Sequence, residues 1–509
     1  MRHFNILFTH ELKQQAKSFI FVLMMFMSLL MAFICGYIQV GDFAERQAVY
    51  QEELRVSLEQ QREALAYSQF NVPVLFAPNP MSIVCRGVDE STGNKSIISP
   101  VRLPDFETTS QRRNPFLAIF SNLDISGIVK ILSIFVLLLA AGLISGEREA
   151  RAWHQIFSNS VRRFDYYLSK YCASAISTLL SLFILFLATA ILIVINPMVQ
   201  TSAIFWGRFG LMFLASFFYL SVFIMLGLMV SARTQTIGTS ALWSVLIWIG
   251  VSFIYPNLVS TITDKPLDAD NRLANREMNN IEDDSYRKFV EKAKRPSFQQ
   301  MIHIPFTRNF NPNIQEQRLL ARSGLLAVIS MSEKFVLDAE LSQWQNMFPI
   351  LWEYQQALQS QKDLMRQKQL KQQKLNHAFT CFLPDVLYEQ ALSSLANTGI
   401  DYRDTYLRTE LRRFRSQVFD YLESKKAFSE KFFTLFPKER WTDNWADYTA
   451  AEKEIYGDYE KQRNYPRLSI ADAPVFTFTE KFDFPVGIVV LLGLNMLLLI
   501  TGLALFQKS

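Results

Sequence analysis

The chain has 509 residues, of which 50% are hydrophobic and 19% are charged, and its formal net charge is +5. Its mean hydropathy of +0.09 is the average of long apolar runs and a polar majority rich in Gln, Lys, Arg, Glu and Asp. This division excludes a wholly soluble enzyme and a protein that is only a membrane bundle, and the small net charge does not indicate nucleic-acid binding.

Six apolar runs are long enough to cross a bilayer, because a hydrocarbon core of about 30 Å requires about 20 helical residues. The runs are apolar on all sides, which is typical of membrane spans and rare in the buried helices of soluble proteins. The predicted spans are residues 18–40, 125–145, 171–195, 206–230, 236–255 and 485–506.

Two of these runs invite a second interpretation. Residues 18–40 are too long for a cleaved signal peptide and are followed by no small-x-small cleavage pattern, so they predict a signal anchor. Residues 236–255 begin only a short distance after the fourth run, and they could instead be part of a broken helix.

Lys and Arg residues near the ends of the spans predict the orientation of the chain. All of them fall on one side if the N-terminus is cytoplasmic, and six spans then place the C-terminus in the cytoplasm as well. Residues 41–124 and 257–484 lie on the opposite side in this arrangement. The cations are Arg2, Lys13, Lys17, Arg148, Arg151, Arg162, Arg163, Lys170, Arg233 and Lys508.

The first extracytoplasmic segment, residues 41–124, contains two different patterns. Apolar residues recur with helical spacing in the polar stretch 44–67, which predicts a helix that continues out of the first span. Prolines are frequent in residues 68–115 and predict loops and short strands there.

The second extracytoplasmic segment, residues 257–484, is predicted to be mainly helical. Residues 333–378 contain few helix breakers apart from Pro349, and a further helix is expected at residues 402–435. Long helices with polar faces are typical of a bundle or stalk. The predicted fold is therefore a mainly α polytopic membrane protein with six transmembrane helices and a large, mostly helical extracytoplasmic domain.

A basic run rich in Gln lies within the longer of these predicted helices. One interpretation is an anionic partner, such as lipid headgroups or an acidic glycan. The other is an ordinary solvated helix face, which is the more common meaning of such a run. Its members are Lys362, Arg366, Lys368, Lys371 and Lys374.

The sequence contains four cysteines. Cys35 and Cys172 fall in predicted spans, where they are expected to be packing residues. Cys85 and Cys381 both fall outside the membrane, where disulfides form, and outside it they can pair only with each other. They are a candidate disulfide.

No catalytic motif is found in the sequence. The fragment Gly93-Asn94-Lys95-Ser96 lacks the first glycine of a phosphate-binding loop, and His10-Glu11 is not followed by the second histidine of a zinc-protease helix. The sequence therefore predicts no catalytic residue, no metal ligand and no enzymatic activity in this chain.

The connection between the second and third spans has a distinctive pattern. Two glutamates at 147 and 149 close the span, an amphipathic stretch follows, residues 159–162 form a turn that ends in arginine, and Lys170 precedes the third span. This pattern resembles the permease subunits of type-2 ABC exporters, in which the second span ends in Glu-x-Glu before a short helix and a turn.

Two further segments resemble the same family. Residues 1–17 are similar to its cytoplasmic elbow helix, and residues 231–236 are similar to its tight turn between the fourth and fifth spans. The family usually has Gly-Thr where this chain has Arg151-Ala152, which is a departure from the pattern.

The resemblance implies a location in the bacterial inner membrane and a mechanism in which two permease subunits, identical or related, pair with two separate ATPase subunits. ATP and Mg²⁺ are bound by the ATPase, and no cofactor is expected in this chain. The region 146–170 is implied to hold a coupling helix, for which the alternative is an interfacial helix bound only to lipid headgroups. The implied coupling residues are Glu147, Arg148, Glu149, Arg151, Trp153, Ile156, Phe157, Arg162 and Arg163.

The segment that begins at Pro384 is similar to a subgroup of this family with a large outer domain between the last two spans.

Three functions compete: export or extraction of a substrate, mechanical transmission to an extracytoplasmic partner protein without solute transport, and a receptor or scaffold without an ATPase. Glu147 and Glu149 either serve in coupling or simply pair with Arg148 or Arg151. The sequence does not identify the substrate.

Overall fold

A computed structural model describes residues 2–63, 72–87, 95–98, 104, 106–107, 124–158, 161–293, 333–399, 402, 406–425 and 485–508. The described chain is mainly helical, which confirms the predicted fold class. Its helices are α1 (Arg2–Ala16), α2 (Phe19–Glu63), α3 (Ile125–Glu149), α4 (Trp153–Ser158), α5 (Arg163–Ile195), α6 (Ala203–Arg233), α7 (Ile237–Ile249), α8 (Tyr255–Ala293), α9 (Glu333–Thr380), α10 (Pro384–Ala396), α11 (Leu407–Lys425) and α12 (Val486–Lys508).

Among the described residues, six helical segments are long and apolar enough to cross a membrane: α2, α3, α5, α6, α7 with the start of α8, and α12. Helices α3 and α6 form the centre of the bundle. They approach each other closely at Gly227, where a Cβ atom would lie 2.7 Å from the carbonyl oxygen of Leu137. Small residues permit such close contact between membrane helices. Much of α7 and α12 is exposed, so these helices face lipid or another chain.

The bundle has two ends, which are named here by what they carry. The elbow end carries α1, α4, the turn between α6 and α7, and the end of α12. The stalk end carries the start of α3 and the long polar helices. Helix α2 runs unbroken past its apolar part to Glu63, which agrees with the helix predicted at residues 44–67, whose last four residues lie outside the described residues.

The fifth span continues into α8 through a π-helical turn at Gly250–Ile254. Pro256 explains this turn, because proline has no N–H to donate and its ring displaces the carbonyl one turn earlier. At the other end of the span, Thr234–Thr236 separate α6 from α7. The fourth and fifth spans are therefore two helices.

Helices α8, α9 and α11 form a stalk. Helix α9 runs antiparallel to α8, since Lys288 pairs with Glu353 at 2.7 Å near one end while the Tyr255 hydroxyl donates to the Phe379 carbonyl at 3.0 Å near the other. Helix α11 lies beside α9 through an ion pair of 2.8 Å between Arg412 and Asp363. Helix α9 confirms the long helix predicted at 333–378, and α11 covers the described part of the helix predicted at 402–435.

Helix α10 returns from the stalk into the bundle. It begins with Pro384, whose missing N–H is not needed at a helix start, and it ends at Asn397, which adopts a left-handed conformation with φ 54°. Its buried face, which includes Leu387, Tyr388 and Leu392, packs against α6 and α12.

A small antiparallel sheet lies near the polar, C-terminal part of α2. Strand β1 (Val72–Leu75) pairs with β2 (Lys95–Ile98), with Val72 opposite Ile98, and β2 pairs with β3 (Phe106–Glu107). In the described part of residues 68–115, these strands agree with the predicted short strands; the rest of that segment lies outside the described residues.

The candidate disulfide is absent, because Cys85 and Cys381 are both free. The Thr398 hydroxyl donates to the Cys85 carbonyl at 3.2 Å, so Cys85 lies at the C-terminal end of α10, whereas Cys381 precedes its N-terminal end. Helix α10 has 13 residues and is therefore about 20 Å long. A disulfide needs Cα atoms within about 7 Å, which this separation does not permit.

The helix of the third span is longer than the predicted span, residues 171–195. Helix α5 begins at Arg163, well before residue 171. Its first turns include the positive charge of Lys170, which the sequence pattern assigns to the connection. This charge is neutralised by two glutamates, as described below, so the helix can start earlier than hydropathy indicates.

Candidate functional site

The connection between α3 and α5 forms a compact structure at the elbow end. After α3, the chain turns sharply at Arg151, where φ is 58°, and enters the short helix α4. The N–H groups of Arg151 and Ala152 donate to the carbonyls of Arg148 and Glu147, both at 3.0 Å. A left-handed conformation costs an ordinary residue about 1–2 kcal/mol and costs glycine little. The glycine that is usual at this place in the resembling family would therefore suit the same turn.

Glu147 belongs to a buried cluster of charges. Lys170 on α5 donates to Glu147 at 2.7 Å and also to Glu11 on α1, while the Tyr166 hydroxyl donates to Glu147. The Lys170 side chain is 1% exposed and that of Glu11 is 4% exposed. These contacts join α1, α3 and α5 at one point, which is named here the charge cluster (Glu11, Glu147, Tyr166 and Lys170).

The charge cluster contains two carboxylates and one ammonium group, so its charges are not fully balanced. Burial raises the pKa of the Glu11 carboxyl, and this effect outweighs the attraction of Lys170. One Glu11 oxygen also has no hydrogen-bond partner among the described residues. Removing Lys170 would leave two buried carboxylates facing each other.

Arg148 and Glu149 connect the end of α3 to the turn between α6 and α7. Arg148 donates to the carbonyl of Ala232 at 2.7 Å, at the C-terminal end of α6, where a cation is favourable. The Glu149 carboxylate accepts from the Ile237 N–H at 2.9 Å, at the N-terminal end of α7, where an anion is favourable. The two charges therefore hold opposite helix ends next to each other.

Aromatic side chains attach α4 to the bundle. Trp153 contacts Tyr166 and Phe506 edge to face, with ring centroids 5.7 Å apart in both pairs, and Phe157 lies 5.4 Å from Tyr166. Arg163 donates to the Gln507 carbonyl at 2.7 Å and so caps α12. Helix α4 is therefore joined to α5 and α12.

The opposite face of α4 is exposed. Gln155 and Ser158 lie three residues apart on this helix face, and Arg151 and Arg162 flank it on the same connection. These four residues are named here the docking face. The predicted turn at Asn159 and Ser160 lies outside the described residues.

The structure brings the nine predicted coupling residues into one region and divides them into two groups. Arg151 and Arg162 are exposed on the docking face. The others contact the bundle, and Glu147 and Glu149 make the contacts described above rather than ion pairs with Arg148 or Arg151. Those directed toward the bundle are Glu147, Arg148, Glu149, Trp153, Ile156, Phe157 and Arg163.

Several residues of this region were missed by the sequence analysis. Glu11 and Tyr166 were given no role in it, and Lys170 was assigned only as a cation beside a span and as part of the family pattern. Phe506 is an uncharged residue in an apolar span, and no sequence motif indicates its contact with α4. The one available signal was an isolated acidic residue in the elbow helix together with a lysine at the start of an apolar run.

A second set of polar contacts lies at the stalk end. Tyr219 on α6 donates to Asp385 on α10, and the hydroxyls of Ser216 and Tyr388 are 2.8 Å apart. Lys130 on α3 pairs with Glu389 at 2.7 Å, and the Glu389 side chain is 60% exposed. Within the described ranges, no three His, Cys, Asp or Glu side chains are grouped so that they could hold a metal ion.

Comparison with known proteins supports the resemblance. The family model described as ABC-2 family transporter protein matches residues 5–509. No curated protein and no solved structure matches the chain significantly. The family match covers nearly the whole sequence, and six apolar helices agree with it. This membrane protein therefore belongs to the ABC-2 family of transporter proteins.

Proposed function

We propose that this chain is the permease subunit of an ATP-driven transporter that exports a substrate, or extracts it from the inner membrane, with energy from a separate ATPase. The family implies an ABC ATPase partner in general. The observation that carries the proposal is α4. It is anchored to the bundle on one face by Trp153 and Phe157 and exposes Gln155 and Ser158 on the other.

The contacts of α4 support a mechanical role. An ATPase subunit that binds the docking face in a groove would apply force to a short helix. Through Arg148 and Glu149 this force reaches α6 and α7, and through Arg163 it reaches α12. Closure of the ATPase pair would then favour one of two arrangements of the spans.

The remaining parts of the proposal concern orientation and assembly. The elbow end is cytoplasmic, so both termini are cytoplasmic and the stalk lies on the outer side of a bacterial inner membrane. Two copies of the permease, or one copy and a relative, pair above two ATPase subunits. ATP and Mg²⁺ are bound by the ATPase, and this chain performs no catalysis itself.

A second candidate function is mechanical transmission to an outer partner without solute transport. It is favoured by the continuity of the fifth span with the stalk from Ile237 to Ala293. Two glycines inserted after Met278 would interrupt this continuous helical segment. If the stalk transmits force, the insertion should abolish nucleotide-dependent movement of the stalk beyond Met278 and leave ATP hydrolysis intact. If the chain instead transports a solute, transport should continue in the variant with the insertion.

Photocrosslinking tests the coupling role of α4. The crosslinking amino acid p-benzoylphenylalanine is placed at Gln155 in one variant of the full chain and at Ser360, which is exposed on α9, in a matched control. Mass spectrometry then identifies the captured protein. We expect an ABC ATPase at Gln155 and none at Ser360. Capture of lipid alone at Gln155 would contradict the proposal and support an interfacial helix.

A further inference from the structure

The last turns of α9 present an unusual exposed face. Lys371, Leu375, Phe379 and Phe382 follow one another at spacings of three and four residues, so they line one side of the helix and the turn after it. Lys374 lies beside them and is also exposed. Leu375 is 52% exposed, Phe379 52% and Phe382 56%. Cations are thus followed by large apolar side chains.

The neighbouring helix gives the depth of this face in the membrane. The Tyr255 hydroxyl donates to the Phe379 carbonyl, and the rings of Tyr255 and Phe382 are 5.5 Å apart. Tyr255 belongs to the fifth membrane span, 18 residues or about 27 Å from its first residue, Ile237. Because the hydrocarbon core is about 30 Å thick, Phe379 and Phe382 lie at its boundary on the stalk side.

The same register places the two lysines at the membrane surface. Because α8 and α9 are antiparallel, residues that precede Phe379 on α9 lie farther out along the stalk. Lys374 and Lys371 precede Phe379 by five and eight residues, about 8 and 12 Å along the helix. An exposed lysine at this level meets the phosphate groups of the lipid.

We propose that Lys371 and Lys374 bind the headgroup of an anionic phospholipid in the leaflet on the stalk side, while Phe379 and Phe382 contact its acyl chains. A solvated helix face would not explain three large apolar side chains on the same side of the helix as the lysines. The lysines and the acyl-contacting rings are separated by about two turns of helix, which is the distance from headgroup to upper acyl chain. This lipid would fix the base of the stalk to the membrane.

Native mass spectrometry of the full-length protein tests this site. The protein is titrated in detergent with phosphatidylglycerol or with phosphatidylcholine, and bound lipids are counted. We expect the wild type to retain phosphatidylglycerol preferentially. The variant K371Q/K374Q should lose affinity for phosphatidylglycerol roughly 5- to 30-fold, because each lysine near an anionic surface contributes about fivefold. Its binding of phosphatidylcholine should not change.

Two exposed arginines on α8 provide a control with the same change in charge. Arg276 and Arg287 lie about 32 and 48 Å beyond Tyr255 along the helix, above the headgroups. The variant R276Q/R287Q should bind phosphatidylglycerol like the wild type. An equal loss in both variants, or no loss in K371Q/K374Q, would overturn the proposal.

The depth of the apolar side chains is a separate measurement. A spin label at Phe379, introduced as Phe379→Cys in a variant without other cysteines and reconstituted in liposomes, should be more accessible to oxygen than to a water-soluble nickel complex. A label that is more accessible to the nickel complex would also overturn the proposal.

Discussion

The contacts around α4 at the elbow end differ in kind from those that hold α10 at the stalk end. At the elbow end, a lysine that is 1% exposed pairs with two glutamates, and charged side chains cap the ends of α6, α7 and α12. At the stalk end, α10 is held by one hydrogen bond between neutral hydroxyls, one hydroxyl–carboxylate contact, and an ion pair whose glutamate is mostly exposed.

This difference indicates which end can open. Separating the charge cluster would leave buried charges without partners, which costs far more than breaking a half-exposed pair that water can solvate. The elbow end should therefore move as one unit when an ATPase displaces α4. At the stalk end, Arg86 and Asp42 form a nearly buried ion pair of 2.6 Å beside the start of α3, which should also stay closed. The contacts of α10 can be exchanged for water at lower cost, and so we expect the changes that admit or release a substrate at α10.

The largest expected effect is the loss of Lys170. Lys170→Met leaves Glu11 and Glu147 buried together, and we expect a loss of about 3–5 kcal/mol in the free energy of unfolding. Thermal denaturation in detergent measures it as a lower melting temperature. Lys13→Met removes an exposed lysine from α1 and should have almost no effect. Equal melting temperatures for the two variants would show that the charge cluster does not hold the elbow end.

A smaller effect is expected at the stalk end. Asp385→Ala removes the acceptor of the buried Tyr219 hydroxyl and should cost about 1–3 kcal/mol. Glu389→Ala removes one partner of the exposed ion pair and should cost less than about 1 kcal/mol. If Asp385→Ala destabilises the protein more than Lys170→Met does, the proposed difference between the two ends is wrong.

The turn at Arg151 permits a stabilising substitution. Glycine adopts its φ of 58° without steric cost, so Arg151→Gly should raise the free energy of unfolding by up to about 1 kcal/mol. Arg151→Ala removes the same charge but keeps the strain, and it should not stabilise the protein. A melting temperature for Arg151→Gly at or below that of Arg151→Ala would count against a strained turn.

The smallest effect is expected for Glu11→Gln at neutral pH. Lys170 keeps its pair with Glu147 and the new amide can still accept a hydrogen bond, so the change should be below about 1 kcal/mol.

The pH dependence of the change in stability caused by Glu11→Gln is more informative than the size of that change at neutral pH. Burial raises the pKa of Glu11 above its usual 4.5, so the folded state holds this proton more tightly than the unfolded state. The resulting stability is fully present below the unfolded pKa and is lost as the pH rises through the folded pKa. Melting curves of the wild type should show this decline relative to Glu11→Gln. A decline of equal size in both proteins would exclude Glu11 as its source.

Much of the fold could be predicted because it depends on local patterns. Apolar runs specify the six spans, and the lack of helix breakers in residues 333–378 specifies α9. The region 146–170 could also be located, since its charges and aromatic residues are close in sequence. Each of these features is determined by residues that are near neighbours along the chain.

The contacts that join these elements could not be predicted. Lys170 and Glu11 are 159 residues apart, and Thr398 is 313 residues from Cys85. No local pattern connects such pairs. The candidate disulfide failed for this reason: chemistry and compartment allowed Cys85 and Cys381 to pair, but α10 separates them. The left-handed conformation of Arg151 is likewise imposed by the bundle and not by the preference of arginine.

Distance measurements in the assembled transporter give the sharpest test of coupling. Spin labels are placed at Ser158 on α4 and, in a separate variant, at Arg233 in the turn between α6 and α7, in complexes of the chain with its ATPase. Pulsed electron paramagnetic resonance then measures the distance between paired copies with and without ATP and vanadate. We expect both distances to change together, and Glu149→Ala to reduce the change at Arg233 only. A nucleotide-dependent change at Ser158 with none at Arg233 in the otherwise unaltered chain, or the absence of any associated ATPase, would contradict the proposed coupling.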